Sequence, residues 1–364
     1  MNSQELGFRP EVWVNLVSDS NVFRTTSKVD DNILLVNPTF SYAIQNGKNV
    51  FEGSYVGNYA TFFSNKDLNY DEHNLSLSSL FDFSARFKTE LDLTYLNEIE
   101  APGTNNALAT QFTEFNQRED SNFVARFLYG SQQSSGQFVL QYTYRDLNYS
   151  NNGQEFRDYI SNMFKGTFFY RVAPRTRLLL EGSLSNLSYQ NTQVIDLSSI
   201  QSVYSLGVQW NNTDLITSVF KIGYQDVDFD DNNRSDLSGL SYFVNLTWQA
   251  TPNSIVRVDA RRAAQESAEQ FLGGYISSIF TFNLTHDITD NTTMSFRYSY
   301  TDNDFKDSLF RKDETQGLTT RLAYNSKDWL LIYAEYTVNK RDSSIQQFNF
   351  DANIISVGVK LSFN

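Results

Sequence analysis

The sequence contains no cysteine, two histidines and five prolines in 364 residues. Without cysteine there is no disulfide scaffold, no thiolate metal site and no thiol nucleophile. It also lacks an apolar run long enough for a transmembrane helix, which needs roughly 20 residues. The longest unbroken stretch runs from Trp329 to Ala334 and stops at Glu335. Basic side chains are the minority, 29 against 42 acidic, for a formal net charge of −13. That balance argues against nucleic acid as a partner, because such binding rests on cations that neutralise phosphate. Residues 1–6 lack the basic start and apolar middle of a secretory signal, so an exported protein is expected here in its mature form.

What the chain has in excess is aromatic: 30 Phe, 21 Tyr and 4 Trp. That load excludes a disordered chain, which has too few apolar residues to bury. Yet the mean hydropathy is −0.43, a soluble-looking value. Periodicity reconciles the two. From Ile355 the residues alternate strictly, with Val357, Val359, Leu361 and Phe363 apolar and Ser356, Gly358, Lys360 and Ser362 small or polar. Leu330/Ile332/Ala334/Tyr336/Val338, Met294/Phe296/Tyr298/Tyr300, Tyr204/Leu206/Val208/Trp210, Phe138/Leu140/Tyr142/Tyr144 and Phe123/Ala125/Phe127/Tyr129 repeat the pattern. Each is a strand with one greasy and one wet face.

Tight turns are expected at 46–49, 85–88, 132–136, 173–176, 211–214, 251–254, 289–292 and 325–328, where Asn, Gly, Pro and Asp cluster. Longer, Asn/Asp/Ser-rich connections fall near 19–31, 64–72, 98–116, 148–158, 189–199, 227–236, 265–273, 302–314 and 340–349. Eight short and nine long connections imply about 18 strands. Alternating short and long connections characterise an outer-membrane barrel, whose tilted strands cross the bilayer in ~9–11 residues. The expected fold is therefore all-β: a single transmembrane antiparallel β-barrel over 1–364, with 1–8 as a short periplasmic segment. An even strand count puts both termini in the periplasm. Tyr42, Tyr55, Tyr59, Tyr129, Tyr170, Trp210, Trp248 and Tyr324 sit near run ends, as interface girdles require. A soluble sandwich would share its apolar faces in one core and show no such rhythm.

If the apolar parity meets outer-membrane lipid and lipopolysaccharide, the other parity lines a lumen. It contributes Glu52, Asp82, Glu90, Asp92, Arg126, Arg145, Lys165, Glu181, Lys221, Arg257, Asp259, Arg261, Arg297, Arg321, Glu335 and Lys360. These sum close to neutral, so the −13 is expected in the outer loops. Acids on early strands would face bases on later ones, creating a transverse field; a ladder that merely pairs internally is the alternative. Trp13, Phe169, Phe243 and Tyr333 are the inward aromatic candidates, as sugar platforms or as wall packing.

No catalysis, metal or cofactor is expected. His73 and His286 lie on opposite ends of the barrel, and no serine is assigned beside either. The stretch 226–236 looks superficially like a calcium loop, but lacks the turn glycine and the terminal glutamate.

Pro10–Val14, Asp19–Thr25, Asp30-Asp31, Pro38–Tyr42, Tyr70–His73, Asp259–Ser267 and Arg341–Asn353 resemble β-barrel porins associated with extracellular-polysaccharide synthesis loci in Gram-negative bacteria. The resemblance implies the outer-membrane part of a composite exporter in a Wzx/Wzy-type pathway. A periplasmic polysaccharide-export protein would dock beneath and a polysaccharide cargo would leave through the barrel. It carries over no catalytic residue. Barrels of this kind also resemble one another in ending on an aromatic; here Phe363 precedes Asn364, an offset of one place. Two rivals remain: a general or substrate-selective diffusion porin without a periplasmic partner, and a plugged barrel acting as scaffold or adhesin.

Overall fold

A computed structural model describes residues 6–103, 114–192, 196–213, 215–231, 233–265, 267, 274–306 and 311–363. Eighteen antiparallel strands follow in chain order. They are β1 (Gly7–Asp19), β2 (Asp31–Asn46), β3 (Asn49–Phe62), β4 (Tyr70–Asp82), β5 (Phe87–Glu100), β6 (Asn116–Tyr129), β7 (Gly136–Tyr149), β8 (Tyr159–Ala173) and β9 (Thr176–Tyr189). The second half comprises β10 (Ser199–Thr213), β11 (Ile216–Phe229), β12 (Leu237–Thr251), β13 (Ser254–Gln265), β14 (Tyr275–Thr289), β15 (Thr292–Phe305), β16 (Lys312–Lys327), β17 (Leu330–Ser343) and β18 (Phe350–Ser362). Each strand pairs with its chain neighbours, and β1 pairs with both β2 and β18, so the sheet closes without an edge.

Alternation sets which face meets lipid. Ile355, Val357, Leu206, Tyr204, Leu140 and Phe138 are all strongly exposed on the outside. Their neighbours Ser356 and Ser205 are buried on the inside. Strands of 12–16 residues at ~3.3 Å per residue and ~40° of tilt stand taller than a ~25 Å apolar band. The surplus extends them beyond the bilayer on the long-loop side. The aromatics expected in the girdles lie on the outward parity, Tyr129 (61% exposed), Tyr170 (53%) and Tyr42 (51%) most fully.

Several boundaries differ from expectation by small shifts. The turns expected at 85–88, 211–214 and 325–328 lie one to three residues off, between Asp82 and Phe87, Thr213 and Ile216, and Lys327 and Leu330. At the second and third of these, register shifts at Trp210/Thr213 and Asn325/Lys327 keep polar residues paired beyond the end of the apolar alternation. The N-terminal segment expected over 1–8 is shorter at its end: Gly7 and Phe8 already pair with Ala43 and Tyr42.

Packing against other side chains concentrates at the outer end. Val17, Val22, Ile33, Ala60, Phe62, Leu68 and Phe115 form one buried cluster, and Leu147, Tyr149, Tyr159, Leu187, Tyr189 and Leu197 another. Carboxylates there hold arginines: Asp19 with Arg24, Glu98 with Arg118, Asp120 with Arg145, Glu100 with Arg157 and Asp313 with Arg311. The segment after β5 reaches across the ring, since Arg341 of β17 donates a hydrogen bond to the Gly103 carbonyl.

Candidate functional site: the lumenal wall

Inward charges one or two strands apart meet wherever register brings opposite signs together. Glu52 is bound by Arg9 at 3.2 Å and Asp82 by Lys88 at 2.8 Å. Arg126 bridges Asp92 at 2.6 Å and Glu90 at 3.5 Å. Lys221 pairs with Glu181 at 2.7 Å, with Thr167 donating to the same carboxylate. Arg321 holds Glu335 at 2.8 Å, Lys360 holds Glu11 at 2.8 Å and Arg145 holds Asp120 at 2.6 Å. The expected acidic wall on β3–β5 is thus neutralised in place by Arg9, Lys88 and Arg126. The cations opposing these acids lie one or two strands away and not across the lumen.

The far wall is different. β4 and β13 stand nine strands apart in an 18-membered ring, so β13–β15 face β4–β6. Arg257 of β13 is opposite Asn283 of β14, and Asn283 is opposite Arg297 of β15, which sets all three on one rung. At ~4.8 Å between strands, the two arginine backbones are about 10 Å apart. Arg261 lies two pleat repeats above Arg257 on the same face, with Asp259 between them, which accepts a hydrogen bond from Asn245 at 2.6 Å. Among the described residues Arg257, Arg261 and Arg297 have no ion pair, and all three are exposed although they point inward. They line two adjoining cavities of about 570 and 500 Å³ that share Asn283 and Arg297. Lys165 also has no carboxylate within ion-pair distance among the described residues, but it is half-buried.

The family model described as Putative beta-barrel porin 2 matches residues 7–363. The chain belongs to this porin family. No curated protein sequence matches it. Its fold is similar to OccK1 (OpdK) of Pseudomonas aeruginosa, with a TM-score of 0.53, 12% identity, and 98% of this chain and 99% of that one covered. It is similar to P. aeruginosa OpdK with vanillate (TM-score 0.52, 12% identity, 98% and 99% covered). It is also similar to P. aeruginosa OccK2 (OpdF) in complex with glucuronate (TM-score 0.53, 12% identity, 99% and 100% covered). The porin is a Gram-negative outer-membrane β-barrel, and its family and structural neighbours are channels.

The porin's four inward rings do not form free platforms. Lys360 lies over Trp13 at 5.5 Å, Arg177 over Phe169 at 4.3 Å, Lys221 over Phe243 at 4.9 Å and Arg321 over Tyr333 at 4.4 Å. Each ring anchors a cation of the wall. Trp13 and Tyr333 also pack edge to face, with centroids 5.8 Å apart.

Charged inward residues outside the expected set include Arg9, Glu11, Lys88 and Arg177 at the periplasmic end, and Glu98, Glu100, Arg118 and Asp120 toward the outer end. Parity alone would have found them, since Arg9 and Glu11 share the parity of Trp13, and Lys88 that of Glu90. Of these, Lys88 falls inside the turn expected at 85–88, whereas β5 already begins at Phe87.

Both histidines sit on the outside. His73 accepts or donates through Nδ1 to Tyr55 at 2.8 Å and through Nε2 to Asp71 at 2.9 Å, within the outer girdle. His286 does have a serine beside it, contrary to expectation: Ser254 Oγ lies 2.9 Å from its Nδ1 on the neighbouring strand. Sequence could not show this, because the pairing depends on the register of β13 with β14. No carboxylate is bonded to His286 among the described residues, so the pair lacks the orienting group of a nucleophilic triad. In the stretch 226–236, Asp231 accepts from the backbone N–H and the side-chain amide of Asn233, both at 2.9 Å.

Proposed function

We propose that the porin is a substrate-selective diffusion channel for small anionic solutes, carboxylates above all. The observation that carries this reading is the Arg257–Asn283–Arg297 rung with Arg261 above it, its arginines without ion pairs among the described residues, opposite a wall whose acids are neutralised. A solute carboxylate ~4 Å from one guanidinium gains about 1 kcal/mol in a water-like medium and about 4 kcal/mol at an effective dielectric near 20. That range is strong enough to favour entry and weak enough to permit exit, as conduction requires. The Asn283 amide between the arginines adds a donor for the solute's remaining oxygens. Vanillate and glucuronate, the ligands of two structurally similar channels, are both carboxylates.

Export of an extracellular polysaccharide, with a periplasmic export protein beneath, is the reading the sequence resemblance supplies. It is the weaker one. A sliding polymer needs successive open ring faces, and the four inward rings each carry a cation. The scaffold reading predicts no steady current at all.

Planar-bilayer recording tests the proposal. In Arg257→Gln/Arg261→Gln/Arg297→Gln, the loss of about 1 kcal/mol of anion attraction lowers the anion-to-cation permeability ratio roughly five-fold. The reversal potential in a salt gradient moves accordingly toward cations. An unchanged reversal potential would remove the arginine row from selectivity.

A further inference from the structure

A third cavity, of about 420 Å³, lies between the outer half of β6–β10 and the end of β13. Gln265 closes it from the β13 side, where β13 has already parted from β12: their pairing stops at Arg262, and Gln225 of β11 accepts from the Ala264 N–H instead. The volume falls within the range of small-ligand sites.

Its lining has two chemistries. One side is the buried cluster of Leu147, Leu187 and Tyr189, with Tyr149 and Tyr159 beside them. Among the described residues, the charged ones in the lining are all arginines: Arg118, Arg145 and Arg157. Their carboxylate partners Glu98, Asp120 and Glu100 stand behind them and do not line the cavity. Arg145 is held by both Asp120 oxygens and by the Tyr159 hydroxyl at 2.6 Å, and Arg157 by both Glu100 oxygens. The guanidiniums are therefore fixed in place before any ligand arrives, so little side-chain freedom is lost on binding. Because each is already compensated, an added anion meets hydrogen-bond donors in a neutral site and exchanges readily.

We infer that this cavity is an antechamber for ring-bearing organic acids, with the carboxylate on the guanidiniums and the ring against Leu147, Leu187 and Tyr189. It lies nearer the outer end than the Arg257–Arg297 rung and deepens the anion-channel reading, on which it rests for its purpose but not for binding. A capture site ahead of the selective rung raises the local concentration of substrates that carry both features.

The test is calorimetric titration of the full-length barrel in detergent with benzoate, acetate and benzyl alcohol. Benzoate, with ring and charge, is expected to bind at least about ten-fold more tightly than either partial mimic. Ser185→Trp, which fills the cavity, and Arg145→Gln/Asp120→Asn, which removes a guanidinium with its counter-charge, each weaken benzoate about ten-fold. Heat-modifiability on gels establishes that each variant is folded, and either one alone suffices. Arg257→Gln/Arg261→Gln/Arg297→Gln retains benzoate binding. Equal affinity for the three probes, or benzoate binding that is lost only in the triple arginine variant, overturns the antechamber. Retained binding with an unchanged reversal potential in that variant instead leaves the antechamber standing and removes the selectivity role of the row.

Discussion

Val357 and Lys360 lie three residues apart on β18 and meet opposite media. Val357 is exposed to lipid at 48%, while Lys360 turns inward to Glu11 and Trp13. Val357→Arg should cost a depth-dependent ~2–4 kcal/mol in barrel assembly, whereas Lys360→Ser removes only a half-exposed pair and costs at most about 1 kcal/mol. Heat-modifiability separates them; equal behaviour would reverse the facing of the strand. Asp31, at the outer end of β2, offers a titratable test. Burial alone would raise its pKa, but the N–H groups of Asn65, Ser64 and Asn32 and the Asn65 amide outweigh this and hold it below the ordinary 3.8. A depressed carboxyl stabilises the fold above its ordinary pKa, and that contribution is lost as pH falls through the depressed value. Exchange of the Ser64 and Asn65 amides, normalised to intrinsic rates, should accelerate below pH about 4 in the native chain. In Asp31→Asn it should be fast at neutral pH too; identical acid responses in the two proteins would clear Asp31 of this role. At the scale of residues, alternation made the inward set legible, yet it said nothing of Arg177 bonding Gln137 and Gln209 or of Glu52 finding Arg9.

Barrel closure depends on a seam of three strands. Tyr333 of β17 and Asn15 of β1 both stand opposite Gly358 of β18, and the Tyr333 hydroxyl donates to Asn15 Oδ1 at 2.7 Å across it. Only a glycine leaves room for the ring to cross: an added Cβ would lie 2.8 Å from Tyr333 Cε1 and 3.0 Å from the Val14 carbonyl oxygen. Gly358→Ala should therefore destabilise the closed barrel by about 1–3 kcal/mol. Gly166→Ala on the lipid side, where the nearest atom would be Leu140 Cδ2 at 3.9 Å, should stay within about 0.5 kcal/mol. Urea-dependent unfolding in detergent measures both, and equal midpoints would deny the seam its part in closure. The strands themselves were legible because each carries its own period-two signal and its own turn residues. The seam was not, since residues 15, 333 and 358 come together only when the first strand meets the last.

For the molecule as a whole, the net charge of −13 does not describe what a solute meets. The acids of the inner wall are largely held by arginines and lysines, and among the described residues the exposed inward arginines without an ion pair, Arg257, Arg261 and Arg297, lie on β13 and β15. If that field selects solutes, salt must weaken it. Raising KCl from 0.1 to 1 M shortens the screening length from ~10 to ~3 Å, below the ~10 Å span of the Arg257–Arg297 rung. Anion preference should fall toward parity over that range in bilayer recordings, and a salt-independent ratio would make the selectivity steric. The sequence by itself determined strand number, the rhythm of turns and loops, which face meets lipid and the outer-membrane setting. Those follow from alternation, a property each segment carries alone. Only the tertiary structure decided which charges cancel, which rings are covered and where a cationic row is left uncovered. Those depend on register, on curvature and on segments such as Gly103 and Gln265 that reach inward, and neither register nor curvature is written in any one stretch of chain.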